Sequence, residues 1–327
     1  MSTISIITPF KDAAPYLKDC IDSICRQSHD SWQLIAVDDH SEDHSKAIIE
    51  SYKDPRIEIY TNKGKGILSA LQTAQEHVKG NYVTRMDADD IMPDDKLKVL
   101  LEVLDTNTSK TIATGFVKYV SEGEVSEGYL NYESWLNDTA QKGLFYERIY
   151  RECVVASPNW LMNRMDFDAI GGFQKLNYPE DYDMVFRWRA AGLKIKSAHT
   201  LTHIWREHPR RTSRNSDAYQ QESFFRLKLP YFIEEFKNRR IQLIGAKRKG
   251  KLIAQILKEY HCDFDWYEKD PALIGQTLLN TEIKSIDFLK TEEACILSVY
   301  PDEELRVALE AFISKRGYYI GANAHYF

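Results

Sequence analysis

The chain has 327 residues, 43% of them hydrophobic and 12% aromatic, which is enough to bury the cores of about two domains. Its 15 glycines and 10 prolines exclude the fibrous and disordered classes, and a formal net charge of −6 argues against a nucleic-acid partner. Five cysteines without a Cys-x-x-Cys spacing, and an amino terminus without a basic stretch before its short apolar run, predict reduced thiols and a cytoplasmic location.

The first part of the chain alternates short β-rich runs with amphipathic helical patterns. Strands are predicted at 4–7, 32–37, 56–60, 82–86 and 111–120, and helices at 16–27, 45–52, 66–78 and 93–104. Residues 121–157 follow no clear pattern, and a helix at 182–191 and a short strand at 195–198 come next. This alternation predicts a parallel α/β sheet that binds ligands beyond the carboxyl ends of its strands.

A second α/β region is predicted after the basic residues 237–240. It has strands at 241–244, 264–267 and 294–299, and helices at 251–260 and 303–315. We therefore predict a first domain over 1–215, an aromatic and basic linker over 216–238, and a smaller domain over 239–327. Within the linker, Pro230 is expected to kink or end any helix.

Two acidic clusters stand at strand ends of the first predicted sheet. Asp38 and Asp39 end the second strand, and the run from Asp87 to Asp90 ends the fourth. Carboxylates two residues apart on a turn can share one Mg²⁺ or Mn²⁺ with substrate phosphates and water. Acidic residues are also common in solvated turns and helix caps, so both interpretations stay open at this point.

Short motifs follow one another along the first 90 residues. They are Thr8-Pro9, Tyr16-Leu17, Asp22-Ser23-Ile24 with Gln27, Val37-Asp38-Asp39 with Ser41, Asn62-Lys63-Gly64, Gly80-Asn81-Tyr82 and Asp87-Ala88-Asp89-Asp90. Later motifs are Gly171-Gly172-Phe173, Glu180-Asp181-Tyr182-Asp183, Arg187 and Gly192. In this order they resemble the family 2 glycosyltransferases of the GT-A fold over residues 1–215.

That resemblance implies a metal-dependent, inverting hexosyl- or N-acetylhexosaminyltransferase. The donor would be a UDP-linked nucleotide sugar, and the acceptor a hydroxyl of a glycan or lipid-linked glycan. The resemblance assigns Mn²⁺ or Mg²⁺ to Asp89, with Asp87 and His208 as further ligands, and the role of general base to Asp181. The implied substrate-binding residues are Thr8, Pro9, Asp12, Asp38, Asp39, Lys65, Asp87, Asn159, Trp160, Glu180 and Arg206.

The sequence departs from the family pattern at the donor side. Lys11 and Asp12 stand where an Asn or Glu is common, and His40 replaces the usual Gly after the paired aspartates. Lys65 lies where the family more often has Arg-Asn, so Lys65 is expected to act on the nucleotide, and the preferred base stays open.

Several assigned residues have a structural alternative. Asp181 is also placed to cap a helix, and Trp160 to pack in a core rather than stack on a sugar. His208 is also typical of a surface histidine. Arg206 competes for the diphosphate with three further arginines, namely Arg210, Arg211 and Arg214.

The smaller domain resembles the Rossmann-like domain that precedes the left-handed helix of sugar-nucleotide acyltransferases. The resemblance rests on three segments, 241–245, 267–271 and 274–275. Residues 245–251 nearly form a P-loop, but Leu252 replaces the magnesium-binding hydroxyl, which favours a simple strand-to-helix turn. An anion site at Gly250 and a role in homo-oligomer assembly both stay open.

The basic runs 206–214 and 237–251 allow peripheral docking on an anionic membrane, at the inner face where a lipid-linked acceptor would lie. We favour the linker, because Pro230 interrupts the helix that such an anchor would use.

Two other functional classes compete with a glycosyltransferase. A catalytically silent nucleotide-sugar-binding or scaffold protein would not need Asp87, Asp89 and Asp181 together. A nucleotidyltransferase would need a glycine-rich basic loop after the first strand, which residues 9–12 do not form.

Overall fold

The computed structural model describes residues 2–104, 110–174, 179–209, 211, 221–298 and 303–327. The chain divides into two compact units. The first unit comprises Met1–Phe145 and Val154–Asn215, and the second comprises Tyr146–Cys153 and Ser216–Phe327. The short segment Tyr146–Cys153 thus belongs to the second unit, although it lies within the predicted first domain.

A mixed sheet forms the centre of the first unit. Its strands are β1 (Ile4–Phe10), β2 (Trp32–Asp38), β3 (Ile57–Thr61), β4 (Tyr82–Arg85), β5 (Thr111–Ser121), β6 (Leu161–Asn163) and β7 (Lys194–Glu207). They are ordered β3-β2-β1-β4-β6-β5-β7. Strand β6 is antiparallel to β4 and β5, and the other neighbours are parallel.

The helices of the first unit connect these strands. They are α1 (Ala14–Cys25), α2 (Ser45–Ser51), α3 (Ile67–Gln75), α4 (Lys96–Val103), α5 (Glu127–Lys142), α6 (Arg164–Ala169) and α7 (Glu180–Ala190). Helix α1 has Pro15 in its first turn and buries Leu17, Ile21 and Ile24 at helical spacing against the sheet. Strands β1 and β2 are buried along their whole length, as expected for central parallel strands.

Two elements of the first unit differ from the prediction. Helix α5 lies in the region without a clear pattern, and Leu136 and Ala140 are the apolar side chains that it buries. Strand β7 extends to Glu207, well beyond the predicted 195–198, because it pairs with β5 along its length. The first half of β7 is largely exposed, so it has no continuous apolar run to reveal it.

The second unit is built on a separate sheet. Its strands are β8 (Ile241–Ile244), β9 (Phe264–Glu268), β10 (Thr277–Leu278), β11 (Thr281–Ser285), β12 (Ala294–Leu297) and β13 (Ala324–Tyr326), in the order β10-β11-β9-β8-β12-β13. All neighbours are parallel except the β10–β11 pair. The helices are α8 (Gln221–Glu235), α9 (Arg248–Glu259) and α10 (Glu303–Ser314). The predicted strand end at Val299 lies outside the described residues.

Helix α8 replaces most of the predicted linker, and it continues through Pro230. Phe232 packs at 5.2–5.3 Å, between ring centroids, against Tyr150 and Phe327 of the same unit. The buried Lys228 ammonium donates to the carbonyl oxygen of Tyr150 at 2.9 Å, and burial lowers its pKa to about 8. These contacts make α8 part of the second core rather than a connector.

The turn between β8 and α9 is closed by tight packing. Gly245 has a φ of 102°, and its carbonyl oxygen accepts a hydrogen bond from the Trp266 indole at 2.9 Å. Ala246 donates its backbone N–H to the Glu268 carboxylate at 2.7 Å, so this acidic side chain is used within the turn. A Cβ added at Gly250 would overlap the carbonyl oxygen of Gly245.

We therefore expect Gly250→Ala to destabilise the second unit by about 1–3 kcal/mol, the usual cost of overpacking. Gly128→Ala is the matched control, because a Cβ there meets nothing within 4 Å. Urea unfolding should show a lower midpoint for Gly250→Ala and an unchanged or higher midpoint for Gly128→Ala. Equal midpoints for Gly250→Ala and the wild type would contradict the close approach in this turn.

Candidate active site

Polar residues collect where β1, β2 and β4 end, at one edge of the first sheet, because these strands are parallel. Thr8 and Pro9 lie at the end of β1, and Asp39 follows β2 and donates its backbone N–H to the carbonyl oxygen of Phe10 at 2.8 Å. The Thr8 hydroxyl is buried and has no hydrogen-bond partner in the part of the chain that the structure describes. This edge is where the sequence predicted a ligand.

Asp39 fixes the loop that follows β3. Its carboxylate accepts hydrogen bonds from the Asn62 side-chain amide at 2.5 Å and from the backbone N–H of Gly66 at 3.0 Å. Gly66 caps α3 with a φ of 85°, a conformation that suits glycine. The loop between these contacts presents Lys65 as an exposed side chain at the same edge.

Asp38 and Asp12 use their carboxylates in turn geometry. Asp38 accepts the backbone N–H of Ser41 at 2.9 Å, and Asp12 accepts that of Glu42 at 2.8 Å. The Asp12 side chain is exposed and its backbone has a φ of 47°. Both residues shape the loop after β2, and a carboxylate oxygen with a second lone pair can still accept a ligand hydrogen bond.

The acidic turn after β4 has a separate partner for each of its carboxylates. Asp87 Oδ1 accepts the Arg85 Nε–H at 2.7 Å. Asp89 Oδ2 lies 2.9 Å from His208 Nε2, so His208 and Asp89 come together from distant parts of the sequence. The His208 ring also stacks on Tyr16, with 4.3 Å between ring centroids.

The two carboxylates differ in their pKa shifts. Burial raises the pKa of Asp87, although Arg85 opposes the shift. Burial would also raise the pKa of Asp89, but the hydrogen bond to His208 and the charge of Arg211 lower it overall. Asp89 is therefore the more readily ionised of the two, as suits a ligand for a cation.

Arg206 is anchored rather than free to swing. Its guanidinium lies 2.9 Å from the Asp19 carboxylate and its backbone N–H donates to Asp90 at 2.9 Å. The Arg206 Nε atom is buried and has no hydrogen-bond partner within the described ranges. Arg211 is half-buried and interacts electrostatically with the acidic turn, whereas Arg210 and Arg214 lie outside the described residues.

Three buried polar residues, Asp90, His203 and Lys96, form a row of contacts behind the acidic turn. Asp90 Oδ2 accepts a hydrogen bond from His203 Nε2 at 2.9 Å, and both side chains are fully buried. The Lys96 ammonium lies 3.5 Å from His203 Nδ1 and donates to the carbonyl oxygen of Pro158 at 2.6 Å. Burial raises the pKa of Asp90 and lowers the pKa values of His203 and of Lys96, the latter to about 7. This row of contacts joins the acidic turn to β7.

The carboxylates at the start of α7 lie beside the acidic turn. Glu180 Oε1 accepts the Arg85 Nη1–H at 2.7 Å, and Asp181 accepts the backbone N–H of Tyr182 at 2.8 Å. Burial and the charge of Glu180 raise the pKa of Asp181 to about 7. Pro179, not Asp181, occupies the N-cap position, which weakens the capping alternative for Asp181.

Asn159 and Trp160 lie in the core rather than at the site edge. The Asn159 amide donates to the carbonyl oxygen of Gly115 at 2.9 Å and accepts from Thr202 at 2.8 Å. Trp160 is 1% exposed and packs against Phe167 and Trp188. Expected acceptor contacts from these two side chains are therefore corrected to structural roles, since neither presents a free surface.

The Gly171-Gly172-Phe173 turn is held against α3. Phe173 donates its backbone N–H to the Gln75 side chain at 2.8 Å and accepts from Gln72 at 3.1 Å. Gly171 and Gly172 have φ values of 83° and 53°, and a Cβ on Gly172 would overlap Gln75. This turn precedes the segment that leads to α7.

Comparison with known proteins agrees with the resemblance to the family 2 glycosyltransferases that the sequence motifs indicate. Residues 5–171 match the family described as "Glycosyl transferase family 2". The chain belongs to glycosyl transferase family 2.

Relatives of this family 2 chain include biosynthetic glycosyltransferases of bacteria. It is 33% identical over 143 residues to the putative teichuronic acid biosynthesis glycosyltransferase TuaG of Bacillus subtilis, covering 42% of this chain and 57% of TuaG. It is 25% identical over 168 residues to the Escherichia coli UDP-Glc:alpha-D-GlcNAc-diphosphoundecaprenol beta-1,3-glucosyltransferase WfgD, covering 49% of this chain and 60% of WfgD. The chain thus spans less than two thirds of these relatives.

Solved structures place the fold in the GT-A class. The S. aureus TarS fragment 1–349 in complex with UDP-GlcNAc has a TM-score of 0.55 at 15% identity, covering 80% of this chain and 72% of the fragment. The mannosyltransferase PcManGT from Pyrobaculum calidifontis, in complex with GDP-Man and Mn²⁺, has a TM-score of 0.52 at 16% identity, covering 78% and 69%. In the described part of the family 2 chain, no helix has the length and apolar character needed to cross a membrane.

The residues of this site suit a divalent cation that is bound partly by protein side chains and partly by substrate oxygens. Across the described ranges, no group of three or more His, Cys, Asp or Glu side chains is arranged to hold a metal ion by itself. Asp89 and His208 offer one carboxylate and one imidazole whose ligand atoms lie 2.9 Å apart. Mn²⁺ and Mg²⁺ commonly take few protein ligands and complete their shell with phosphate oxygens and water.

The sequence analysis did not predict the buried polar residues that contact or support the acidic turn. Arg85, His203 and Lys96 were assigned no role, although each contacts or supports the acidic turn. Arg85 had a usable signal, because it lies two residues before Asp87 at the end of a buried strand. His203 and Lys96 had none, since their partners are distant in sequence.

The raised pKa of Asp181 predicts a stability effect. An aspartate with an ordinary pKa near 4 in the unfolded chain and about 7 when folded opposes folding increasingly as pH rises toward 7. Asp181→Asn should therefore raise the Tm at pH 8 by at least about 2–4 °C, which is the effect of ~1 kcal/mol out of an upper bound of about 4 kcal/mol, and by less at pH 5. Asp183→Asn is the control, because Asp183 pairs with Arg187 at 2.7 Å and its loss should lower the Tm. A larger gain at pH 5 than at pH 8 for Asp181→Asn would contradict the shift.

Proposed function

We propose that this protein is a metal-dependent, inverting glycosyltransferase. It moves a hexosyl or N-acetylhexosaminyl group from a UDP-sugar to a hydroxyl of a glycan or lipid-linked glycan. The observation that carries the proposal is the guanidinium of Arg85, which lies 2.7 Å from both Asp87 and Glu180. Arg85 links Asp87 of the acidic turn to Glu180, the chain neighbour of Asp181. This link supports the proposal that the leaving group and the base act at one site.

The comparisons favour this substrate class. TarS was crystallised with UDP and with UDP-GlcNAc, and the name of WfgD specifies transfer to a diphosphoundecaprenol-linked sugar. A lipid-linked acceptor would bring a cytoplasmic enzyme to the inner face of the membrane. Both the acceptor and this location are part of the proposal.

The donor side is proposed to bind the nucleotide between the ends of β1, β2 and β4. Asp39 and the Thr8-Pro9 backbone would hydrogen-bond the uracil and ribose, with Lys65 and Asp87 at the phosphates and ribose. Asp89 and His208 would hold Mn²⁺ or Mg²⁺, with Arg206 near the diphosphate. A cation there would offset the negative charge that develops on the departing diphosphate.

The acceptor side is proposed to use Asp181 as the general base. An inverting reaction needs a base on the face of the sugar opposite the leaving group, and that base must take the proton of the attacking hydroxyl. A pKa of about 7 suits this task at neutral pH, because the ionised carboxylate is both present and basic enough. A silent binding protein would have no use for such a group.

A donor screen tests the function. UDP-, GDP-, dTDP- and CMP-sugars are incubated with the full chain and Mn²⁺, with and without chelator, and release of the nucleotide is measured. We expect release from a UDP-sugar that the chelator abolishes. Asp89→Ala should lose both this turnover and Mn²⁺-dependent UDP binding in calorimetry, whereas the exposed Asp94→Ala should retain both. Unchanged Mn²⁺-dependent UDP affinity in Asp89→Ala would remove Asp89 from the cation site.

A second experiment separates chemistry from binding at Asp181. Asp181→Asn keeps the shape but removes the proton acceptor, so transfer should fall roughly 10²- to 10⁴-fold while donor affinity stays within a few-fold. The initial transfer rate and UDP-sugar affinity are measured beside those of Glu180→Gln. A fully active Asp181→Asn with an inactive Glu180→Gln would move the base by one residue, and two active variants would exclude both.

A further inference from the structure

The Arg85 side chain bonds carboxylates from two separate parts of the site. It ends β4, is 3% exposed, and donates Nε–H to Asp87 and Nη1–H to Glu180, each at 2.7 Å. Asp87 and Glu180 are 93 positions apart (180 − 87) and belong to the acidic turn and to the start of α7. In the proposed function the acidic turn lies on the donor side of the site, and the start of α7 lies on the acceptor side.

The charge of Arg85 is shared between its two partners. Burial would lower its pKa, but the carboxylates of Asp87, Glu180 and Asp181 raise it, so Arg85 stays cationic. A buried carboxylate that loses its counter-charge is strongly disfavoured. A change at either carboxylate therefore alters how well Arg85 compensates the other.

Arg85 also fixes the orientation of Glu180. Its bond takes Oε1, and the second oxygen, Oε2, is buried and has no hydrogen-bond partner in the described part of the chain. Because a carboxylate is planar, holding Oε1 restricts where Oε2 lies. A buried acceptor without a donor is rare in native proteins, and Glu180 Oε2 is free to accept a hydrogen bond from a substrate hydroxyl.

We propose that Arg85 is a positioning residue that couples the donor-side carboxylate Asp87 to the acceptor-side pair Glu180 and Asp181. This inference rests on the proposed function. Arg85 itself transfers no proton. Arg85 orients Glu180 toward a substrate hydroxyl only while it also bonds Asp87. A change on one side of the site therefore affects the other side.

A double-mutant cycle tests the coupling. Transfer kcat and UDP affinity are measured for the wild type, Asp87→Asn, Glu180→Gln and the double variant. We expect the combined loss in kcat to differ from the product of the single losses by at least about fivefold, as for residues in one ion-pair network. The matched control is a cycle of Asp87→Asn and Asp183→Asn. Asp183 is on the same helix as Glu180 but pairs with Arg187 instead of Arg85. That cycle should be multiplicative within about twofold.

The coupling should depend on Arg85. In an Arg85→Gln background the losses from Asp87→Asn and Glu180→Gln should become multiplicative, and Arg85→Lys, which keeps the charge but not the fork, should restore part of the coupling. If Arg85→Gln does not fold, the wild-type cycle and the Arg85→Lys cycle still decide the matter. If the wild type is active but the losses in the single variants multiply in the double variant, the coupling role of Arg85 is wrong and the proposed function still stands. A wild type that turns over no donor would instead contradict the proposed function.

Discussion

Several carboxylates lie close together in a buried part of the first unit, and their mutual repulsion is the constraint that the site has to meet. Arg85 offsets Asp87 and Glu180 through hydrogen bonds, and Arg211 adds positive charge near Asp87, Asp89 and Asp90. The compensation is incomplete at Asp181, where burial and the charge of Glu180 outweigh the effect of Arg85 on the pKa. In the proposed function, this residual destabilisation would suit Asp181 to act as the general base, an example of stability exchanged for activity.

The acidic turn also depends on a support that is distant in sequence. Asp90 bonds His203 through one oxygen and the backbone of Arg206 through the other, while Ile91 and Ile204 exchange backbone hydrogen bonds at about 3 Å. Because β7 carries Arg206 and leads directly to His208, this contact sets the position of both against Asp89. Asp90 therefore links the acidic turn that follows β4 to the strand that carries Arg206 and leads to His208.

The sequence predicts those parts of the molecule whose pattern is local. Strands β1, β2 and β4 are short runs rich in β-forming residues and α1 has an apolar face, so the sheet edge and the acids on it could be located in advance. Helix α5 was not predicted because it buries little, and the contact between Arg85 and Glu180 could not be predicted because the two residues are 95 positions apart. The side chains of Asn159 and Trp160 were misassigned because a polar or aromatic residue near a turn looks the same in sequence whether it faces solvent or core. Only burial distinguishes the two cases.

The segment Tyr146–Cys153 has a consequence for how this chain can be divided. It lies between stretches of the first unit but belongs to the second, where Tyr150 packs against Phe232 and Phe327 and its carbonyl oxygen accepts from Lys228. The chain therefore passes from the first unit to the second, returns, and passes over again. A gene fragment cut after residue 215 would carry an aromatic segment separated from its core, and the remaining fragment would lack it. The second unit is not a detachable tail, and an exchange of such units between related enzymes would have to move two separate stretches of sequence together.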